Sequence, residues 1–184
     1  MALGHGTALV IIGAVMVHLI LHLTGRLGYS LTTAGLVISL LTGMQIIGQI
    51  CAGFLGDRFD KRLIVCGCMG FHAAGMLMLA YAQNLWMIVG FAVLHGIAWG
   101  TRGPLMQAIR ADYFGVSNFG AIMGWSSLIV MMGMALGPLY AGYMADRTGS
   151  YVSAFATLAL CAVFGGIFFL LAKKPPPRSR AVEG

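Results

Sequence analysis

Residues 53–62 read Gly-Phe-Leu-Gly-Asp-Arg-Phe-Asp-Lys-Arg, a short and densely charged segment between two long apolar runs. A weaker copy of its first part, Gly-Tyr-Met-Ala-Asp-Arg, stands 89 residues later at 142–147, again at the end of an apolar run. That interval is about half of the 184 residues of the chain. A charged segment repeated at this distance predicts a duplicated unit of three helices.

Composition places the chain in a lipid bilayer. Apolar residues make up 59% of it and charged residues only 9%, a balance that ordinary soluble domains do not show. Each apolar run has the roughly 18 residues that a helix needs to cross a hydrocarbon core of about 30 Å. The sequence therefore predicts an all-α integral membrane protein with six transmembrane helices, at about 6–24, 32–56, 63–82, 85–108, 117–144 and 151–172.

The distribution of basic residues predicts the orientation in the membrane. One side of the predicted bundle holds eight of them: Arg58, Lys61, Arg62, Arg110, Lys173, Lys174, Arg178 and Arg180. The other side holds only Arg26 and Arg147, while Arg102 lies within helix 4. Because basic segments stay in the cytoplasm, both termini are predicted to be cytoplasmic, with the protein in the inner or plasma membrane. No basic face with interleaved aromatic residues exists outside the bilayer, so no nucleic-acid partner is expected.

The first apolar run and the cysteines predict neither a leader peptide nor a metal site. The run at 8–23 lacks a preceding basic segment and a cleavage-like end, so we interpret it as a mature helix. The cysteines all lie in apolar runs, and their spacing fits neither a disulfide nor a zinc site. No metal and no other cofactor is therefore expected. The proline-rich residues 175–184 predict a disordered basic cytoplasmic tail.

The segment at 53–62 resembles the signature loop of the major facilitator superfamily of secondary transporters, roughly Gly-x-Leu-x-Asp-Arg-x-Gly-Arg-Arg. In that family the loop joins the second and third helices of each six-helix half. Residues 111–120 look like the family's connection between helices ten and eleven, and the helix ends at 22–30 and 146–151 are similar to those of its monocarboxylate and oxalate:formate branches. The resemblance covers essentially the whole chain. It implies the C-terminal half of such a transporter, built from two inverted three-helix repeats.

The resemblance also implies a function. A member of these branches would move a small organic anion, for example a carboxylate, by alternating access and in some cases by antiport. A full family member has twelve helices, so this chain is expected to need a partner, either an N-terminal six-helix half or a second copy of itself. An inactive gene fragment is the main alternative. A six-helix membrane enzyme is disfavoured because no Ser/His, Asp/Asp or metal constellation falls at one depth.

The signature segment supplies the gating candidates. The resemblance assigns Asp57 the role of a latch that stabilises one state of the transporter, and a solvated turn that only fixes topology is the alternative. Asp60 stands where the family usually has glycine, and it is expected to tighten the turn or to pair with Lys61 or Arg62. The candidates in the first repeat are Gly53, Gly56, Asp57, Arg58 and Arg62, and those in the second are Gly142, Asp146 and Arg147.

Arg102 is the one basic residue well inside a predicted span, about 25 Å along helix 4. A guanidinium that faces a cavity can hold a carboxylate with two parallel hydrogen bonds. A long side chain at that depth can also extend to the interface and serve structure alone. Both interpretations are open from the sequence.

Further polar residues recur at helical spacing. His18 and His22 share a face of helix 1, and Gln45 and Gln49 share a face of helix 2, so all four are candidates for the substrate path. Several monocarboxylate transporters carry a substrate-binding arginine at the position that Gln49 occupies, which weakens a direct assignment to monocarboxylates. No carboxylate lies deep in a predicted span, so proton coupling through a buried acid is not expected in this half.

Glycine and proline mark the predicted sites of close packing and bending. Three glycine pairs are spaced four apart, at 96 and 100, 120 and 124, and 133 and 137, a spacing that lets neighbouring helices approach closely. Pro138, after Gly137, is expected to kink helix 5, and Pro104 to kink helix 4.

Overall fold

The computed structural model describes residues 1–115 and 119–172, and in these ranges it contains six long helices and no strand. The helices are α1 (Ala2–Leu21), α2 (Leu31–Arg58), α3 (Lys61–Ala80), α4 (Leu85–Phe114), α5 (Phe119–Thr148) and α6 (Val152–Leu170). A wider π-helical stretch, His22–Arg26, continues α1. All six described helices are long and apolar enough to cross a membrane. The predicted fold class, an all-α integral membrane bundle, is confirmed.

Side-chain caps fix where several helices begin. Ser30 caps α2 by accepting a hydrogen bond from the amide of Thr33 at 3.1 Å, and Asn84 caps α4 in the same way from Met87. Such caps satisfy backbone donors that have no partner inside the helix. The two caps thus fix where α2 and α4 begin after the short connections that precede them.

Helix α4 is longer than the sequence predicted. Helix α4 ends at Phe114, not near residue 108, so Arg110 lies within it. The reason is packing, since Ile109 and Arg110 are both buried against neighbouring helices. The helix ends at Gly115, whose φ of +68° is a conformation that favours glycine. The predicted tail at 175–184 and the basic residues from Lys173 onward lie outside the described residues.

Glycines bring two pairs of helices into backbone contact. A Cβ added at Gly100 of α4 would overlap the carbonyl of Gln45 in α2, and one added at Gly137 of α5 would overlap the carbonyl of Val10 in α1. Gly13 of α1 lies equally close to α5, with the carbonyl of Met134 only 2.5 Å from an added Cβ. Small residues at such crossings let backbones approach closely in a membrane. The third predicted pair, at 120 and 124, makes no such contact with the described residues.

The helix pairs obey an inverted repeat of α1–α3 and α4–α6. The strongest contacts join α2 to α4, α1 to α5, and α3 to α6. The two units are exchanged when α1, α2 and α3 are replaced by α4, α5 and α6, and the reverse. The pair of α2 with α4 then becomes the pair of α5 with α1, and the pair of α3 with α6 is unchanged. This is the symmetry expected of two three-helix repeats related by an axis in the membrane plane.

Two helices are left mostly uncovered. Of the most apolar part of each helix, 22% is buried in α2 and 17% in α5, against 61% in α1. Large apolar side chains therefore stand exposed along both, with Ile46, Ile50 and Phe54 on α2 and Met131, Met132 and Leu139 on α5. We refer to these two exposed faces as the open faces.

Candidate functional site

The signature segment is mostly helical. Gly53, Gly56, Asp57 and Arg58 occupy the last turns of α2. Gly56 packs against α4, where an added Cβ would lie 2.6 Å from the side chain of Leu105 and would displace it. Asp57 is exposed, and within the described part of the chain its carboxylate accepts no hydrogen bond from a side chain. The predicted latch between Asp57 and Arg58 or Arg62 is not formed inside this half.

Asp60, which stands where the family usually has glycine, forms the hydrogen bonds and the ion pair within the signature segment. Asp60 caps α3 by accepting a hydrogen bond from the amide of Arg62 at 2.8 Å, and its carboxylate pairs with the Arg62 guanidinium, also at 2.8 Å. The hydrogen bonds from Arg62 hold the pKa of Asp60 below its ordinary value. Arg62 also donates to the carbonyl of Ala172 at 2.9 Å, which ties the segment to the end of α6.

A second ion pair at this segment was missed by the sequence analysis. The ammonium group of Lys61 lies 2.7 Å from the carboxylate of Asp112, near the end of α4. It links the beginning of α3 to the end of α4 across the same end of the bundle. The sequence does place both residues at helix ends on the side predicted to be cytoplasmic. It does not show that Asp112, among the acids there, is the partner of Lys61.

The second repeat reproduces one contact of the first. The guanidinium of Arg58 lies 3.9 Å from the ring centre of Phe54, and that of Arg147 lies 5.2 Å from the ring centre of Tyr143. In each case the arginine covers the aromatic ring four residues earlier, in the last turns of α2 or α5, and it follows an exposed aspartate, Asp57 or Asp146. The matching geometry supports an inherited duplication, because charged residues gathering at an interface by chance need not share it. The third residue predicted there, Gly142, lies beside the ring of His18.

Arg102 is buried inside the half and does not face its surface. Only 1% of the residue is exposed, and its Nη1 lies 2.5 Å from Nδ1 of His5 in α1. A residue on the path between two halves should be exposed when only one half is present. In this conformation Arg102 therefore lies behind the open faces, and its side chain does not extend to the interface.

A histidine pair accompanies Arg102 in the core. His72 of α3 and His95 of α4 are fully buried, with their Nδ1 atoms 3.0 Å apart. The sequence patterns predict neither this pair nor the contact of His5 with Arg102. A signal existed for His95, because it precedes Arg102 by seven residues, two helical turns, and so shares its face of α4.

His18 of α1 and His22 of the π-helical stretch after it join helices. His18 is half-buried and lies within hydrogen-bonding distance of the Pro138 carbonyl at 3.0 Å and the Tyr151 hydroxyl at 3.1 Å. His22 is fully buried, with Nε2 3.2 Å from the carbonyl of Leu79. His18 thus holds α1 against the predicted kink of α5, and His22 holds it against α3. Neither ring is free on an open face.

Helix α2 presents polar groups beside an open face. Gln49 is exposed and Gln45 is half-buried on the same side of the helix. Pro104 of α4 is exposed as well, and one turn later Gln107 is also exposed. The side chains of Gln45, Gln49 and Gln107, unlike those of Arg102 and His22, are placed where a second half or a solute could reach them.

The described residues contain no group of three or more histidine, cysteine or acidic side chains that could hold a metal ion. The buried histidines hold helices at fixed distances, and the buried arginines give the interior a positive charge. The glutamines of α2 form a polar edge beside it.

Comparison with known proteins gives a consistent result. The Major Facilitator Superfamily family model matches residues 1–184. The chain is 30% identical over 173 residues to a triacylglyceride transporter of Mycobacteroides abscessus, which covers 88% of this chain and 34% of that protein. It is 29% identical over 150 residues to monocarboxylate transporter 12 of Xenopus laevis (79% and 33%) and 27% identical over 150 residues to the human protein of the same name (79% and 29%). The chain thus spans about a third of the length of these relatives.

Proposed function

Since the chain belongs to the Major Facilitator Superfamily, we propose that it forms one half of a secondary active transporter that moves a small organic anion by alternating access. Its relatives are named as transporters. The anion, the mode of transport and the need for a second half are our own proposals, and each has separate support.

The charge distribution carries the proposal of an anionic substrate. Among the described residues, every aspartate is exposed near a helix end, whereas Arg102 and Arg110 are 1% and 5% exposed inside the bundle. A buried charge acts over a longer range than an exposed one, because the surrounding medium screens it weakly. The interior of this half therefore attracts anions and repels cations.

Residues at the open faces are proposed to touch the substrate. Gln45 and Gln49 can donate hydrogen bonds to a carboxylate, and they lie beside the open face of α2. Arg102 contributes the positive potential behind them. A direct bond from Arg102 to the substrate requires the helices that bury it to move, because only 1% of the residue is exposed in this conformation.

The uncovered surface supports a partner. Both open faces are apolar, that of α2 has a polar edge at Gln45 and Gln49, and Asp57 and Asp146 stand unpaired by described side chains at the ends of the two helices. An N-terminal six-helix half that covers α2 and α5 would complete a path between the halves. A second copy of this chain is the alternative partner, and an inactive fragment is the outcome if neither assembles.

A substrate panel tests the anion assignment. The chain would be reconstituted in liposomes with a six-helix N-terminal half and assayed for uptake of labelled short-chain monocarboxylates, a neutral sugar and a triacylglyceride. We expect saturable monocarboxylate uptake that other organic anions inhibit and the sugar does not. Transport of the triacylglyceride alone, the compound named for one relative, would overturn the proposal of an anionic substrate and leave the transporter assignment intact.

A further inference from the structure

The end of α4 and the beginning of α5 diverge and leave a cavity between them. Its volume is about 460 Å³, within the range of small-molecule sites. Arg110, Tyr113 and Phe114 line it from α4, and Ile122, Trp125 and Ile129 from α5. The cavity lies at one end of the bundle, where the first turn of α1 and Ala172 after α6 also border it.

Arg110 supplies an unsatisfied charge in this cavity. Only 5% of the residue is exposed. Its Nη1 donates to the side-chain carbonyl of Gln107 at 3.3 Å and lies 3.7 Å from the sulfur of Met123. Its Nη2 is buried and has no hydrogen-bond partner among the described residues.

No described carboxylate neutralises Arg110. The acid closest in sequence is Asp112, which pairs with Lys61 of α3 instead. A buried guanidinium without a partner is unfavourable. An anion at Nη2 would remove that cost by accepting a charge-assisted hydrogen bond.

Most of the rest of the lining is apolar; the exceptions are Ser126 and the Tyr113 hydroxyl, which donates to the carbonyl of Ala172. Ile122 and Ile129 are half-buried, while Trp125 and Phe114 are 74% and 43% exposed at the rim. The complementary ligand therefore has a compact anionic head and an apolar tail. The cavity lies at helix ends, where tryptophan and the head groups of a bilayer meet.

We infer that this cavity binds an amphipathic anion, with a carboxylate or phosphate head at Arg110 and an alkyl or aryl tail against Trp125, Ile122 and Ile129. The inference rests on the cavity and on Arg110, so it stands even if the transported substrate is of another class. The anion has two sources, a free amphipathic acid or an anionic phospholipid, and the experiment separates them.

Tryptophan quenching tests the inference on the 184-residue chain in phosphatidylcholine nanodiscs. Replacing Trp86 and Trp99 with Phe leaves Trp125 as the reporter. Three bromine-labelled probes would be titrated: a decanoate, a decanol of the same length, and a phosphatidylglycerol. We expect saturable quenching by the decanoate or the phosphatidylglycerol, which identifies the source, and only weak, non-saturating quenching by the decanol.

Arg110→Gln should raise the half-saturating probe concentration roughly 10- to 100-fold, the loss expected for one charge-assisted hydrogen bond. Arg110→Lys, which keeps the charge and loses the planar fork, should restore part of it. The matched control is Arg26→Gln, which removes an exposed arginine at the other end of α1 and should change nothing.

Ile122→Phe provides a second test if Arg110→Gln fails to fold. It fills the cavity, leaves Arg110 in place and should abolish the saturable component. Equal half-saturation by the decanol, or unchanged binding in both folded variants, would overturn the inference.

Discussion

At the scale of single residues, the half is organised around cations that have no acidic partner. Arg102 is buried and contacts His5, while Arg110 borders a cavity with one nitrogen unpartnered by described residues. The described acids instead stand at helix ends, where Asp60 and Asp112 pair with Arg62 and Lys61. The described acids that form ion pairs thus lie at helix ends, and the two enclosed arginines have no described acidic partner.

Replacing Arg102 should weaken anion uptake by the twelve-helix form. Arg102→Gln removes the buried charge and should raise the apparent transport constant roughly 10- to 100-fold. Arg102→Lys keeps the charge and should therefore restore most of the uptake, whereas partial rescue would indicate a direct bond from the guanidinium to the substrate. Uptake into vesicles is normalised to inserted protein, and Arg26→Gln serves as the control. Equal constants for the parent and Arg102→Gln would remove Arg102 from the transport mechanism.

Two substitutions of Asp60 should distinguish the stability that comes from its N-cap hydrogen bond from the stability that comes from its charge. Asp60→Ala should cost about 0.5–2 kcal/mol, because α3 loses its N-cap, whereas Asp60→Asn keeps a capping oxygen and should cost less. The lowered pKa of Asp60 means that the carboxylate stabilises the fold fully above its unfolded pKa of about 3.9. That stabilisation is lost as the pH falls through the lower folded value. Thermal unfolding in detergent at pH 7 and below pH 4 measures both effects, and equal losses for the two variants would contradict the capping role.

At the scale of helices, the sequence was informative about spans and weak about partners. Apolar runs longer than 18 residues have one favourable state in lipid, so the number and order of the helices followed from composition. The pairing of His72 with His95, and of Arg102 with His5, depends on how α1, α3 and α4 rotate against one another. Local patterns do not encode that rotation. His18 and His22 were predicted to line the substrate path from their spacing alone. Their rings instead lie within hydrogen-bonding distance of backbone carbonyls of other helices, and the spacing does not reveal those partners.

Glycine substitutions should distinguish packed positions from open ones. Gly100→Ala and Gly137→Ala place a methyl group against the backbone of a neighbouring helix and should cost about 1–3 kcal/mol, the range for overpacking. Gly103→Ala and Gly124→Ala lie on the same two helices, meet no described atom within 4 Å and should be neutral or slightly stabilising. Unfolding in detergent followed by circular dichroism compares the four. A similar loss in all of them would mean that the helix crossings are wrong.

At the scale of the whole molecule, two inverted three-helix units form a bundle that is covered on one side and open on the other. The packed pairs of α1 with α5 and α2 with α4 hold the units together, and α2 and α5 keep most of their apolar surface exposed. Lipid could cover that surface, but the polar edge at Gln49 and the exposed Asp57 suit a protein partner better.

The orientation can be tested by cysteine labelling. In a variant without native cysteines, Asp60→Cys should be protected from a membrane-impermeant maleimide in intact cells, and Gly149→Cys should react. The basis is the eight-to-two bias of basic residues. Opening the cells should expose position 60. Labelling of position 60 from outside intact cells would reverse the assignment.

The need for a second half is the central claim, and uptake with and without that half tests it most directly. Labelled monocarboxylate uptake would be measured in liposomes that contain the chain alone, a six-helix N-terminal half alone, or both, at equal inserted protein. We predict saturable uptake only when both are present, together with their co-purification in mild detergent. Saturable uptake by the chain alone, as a stable monomer, would contradict the account.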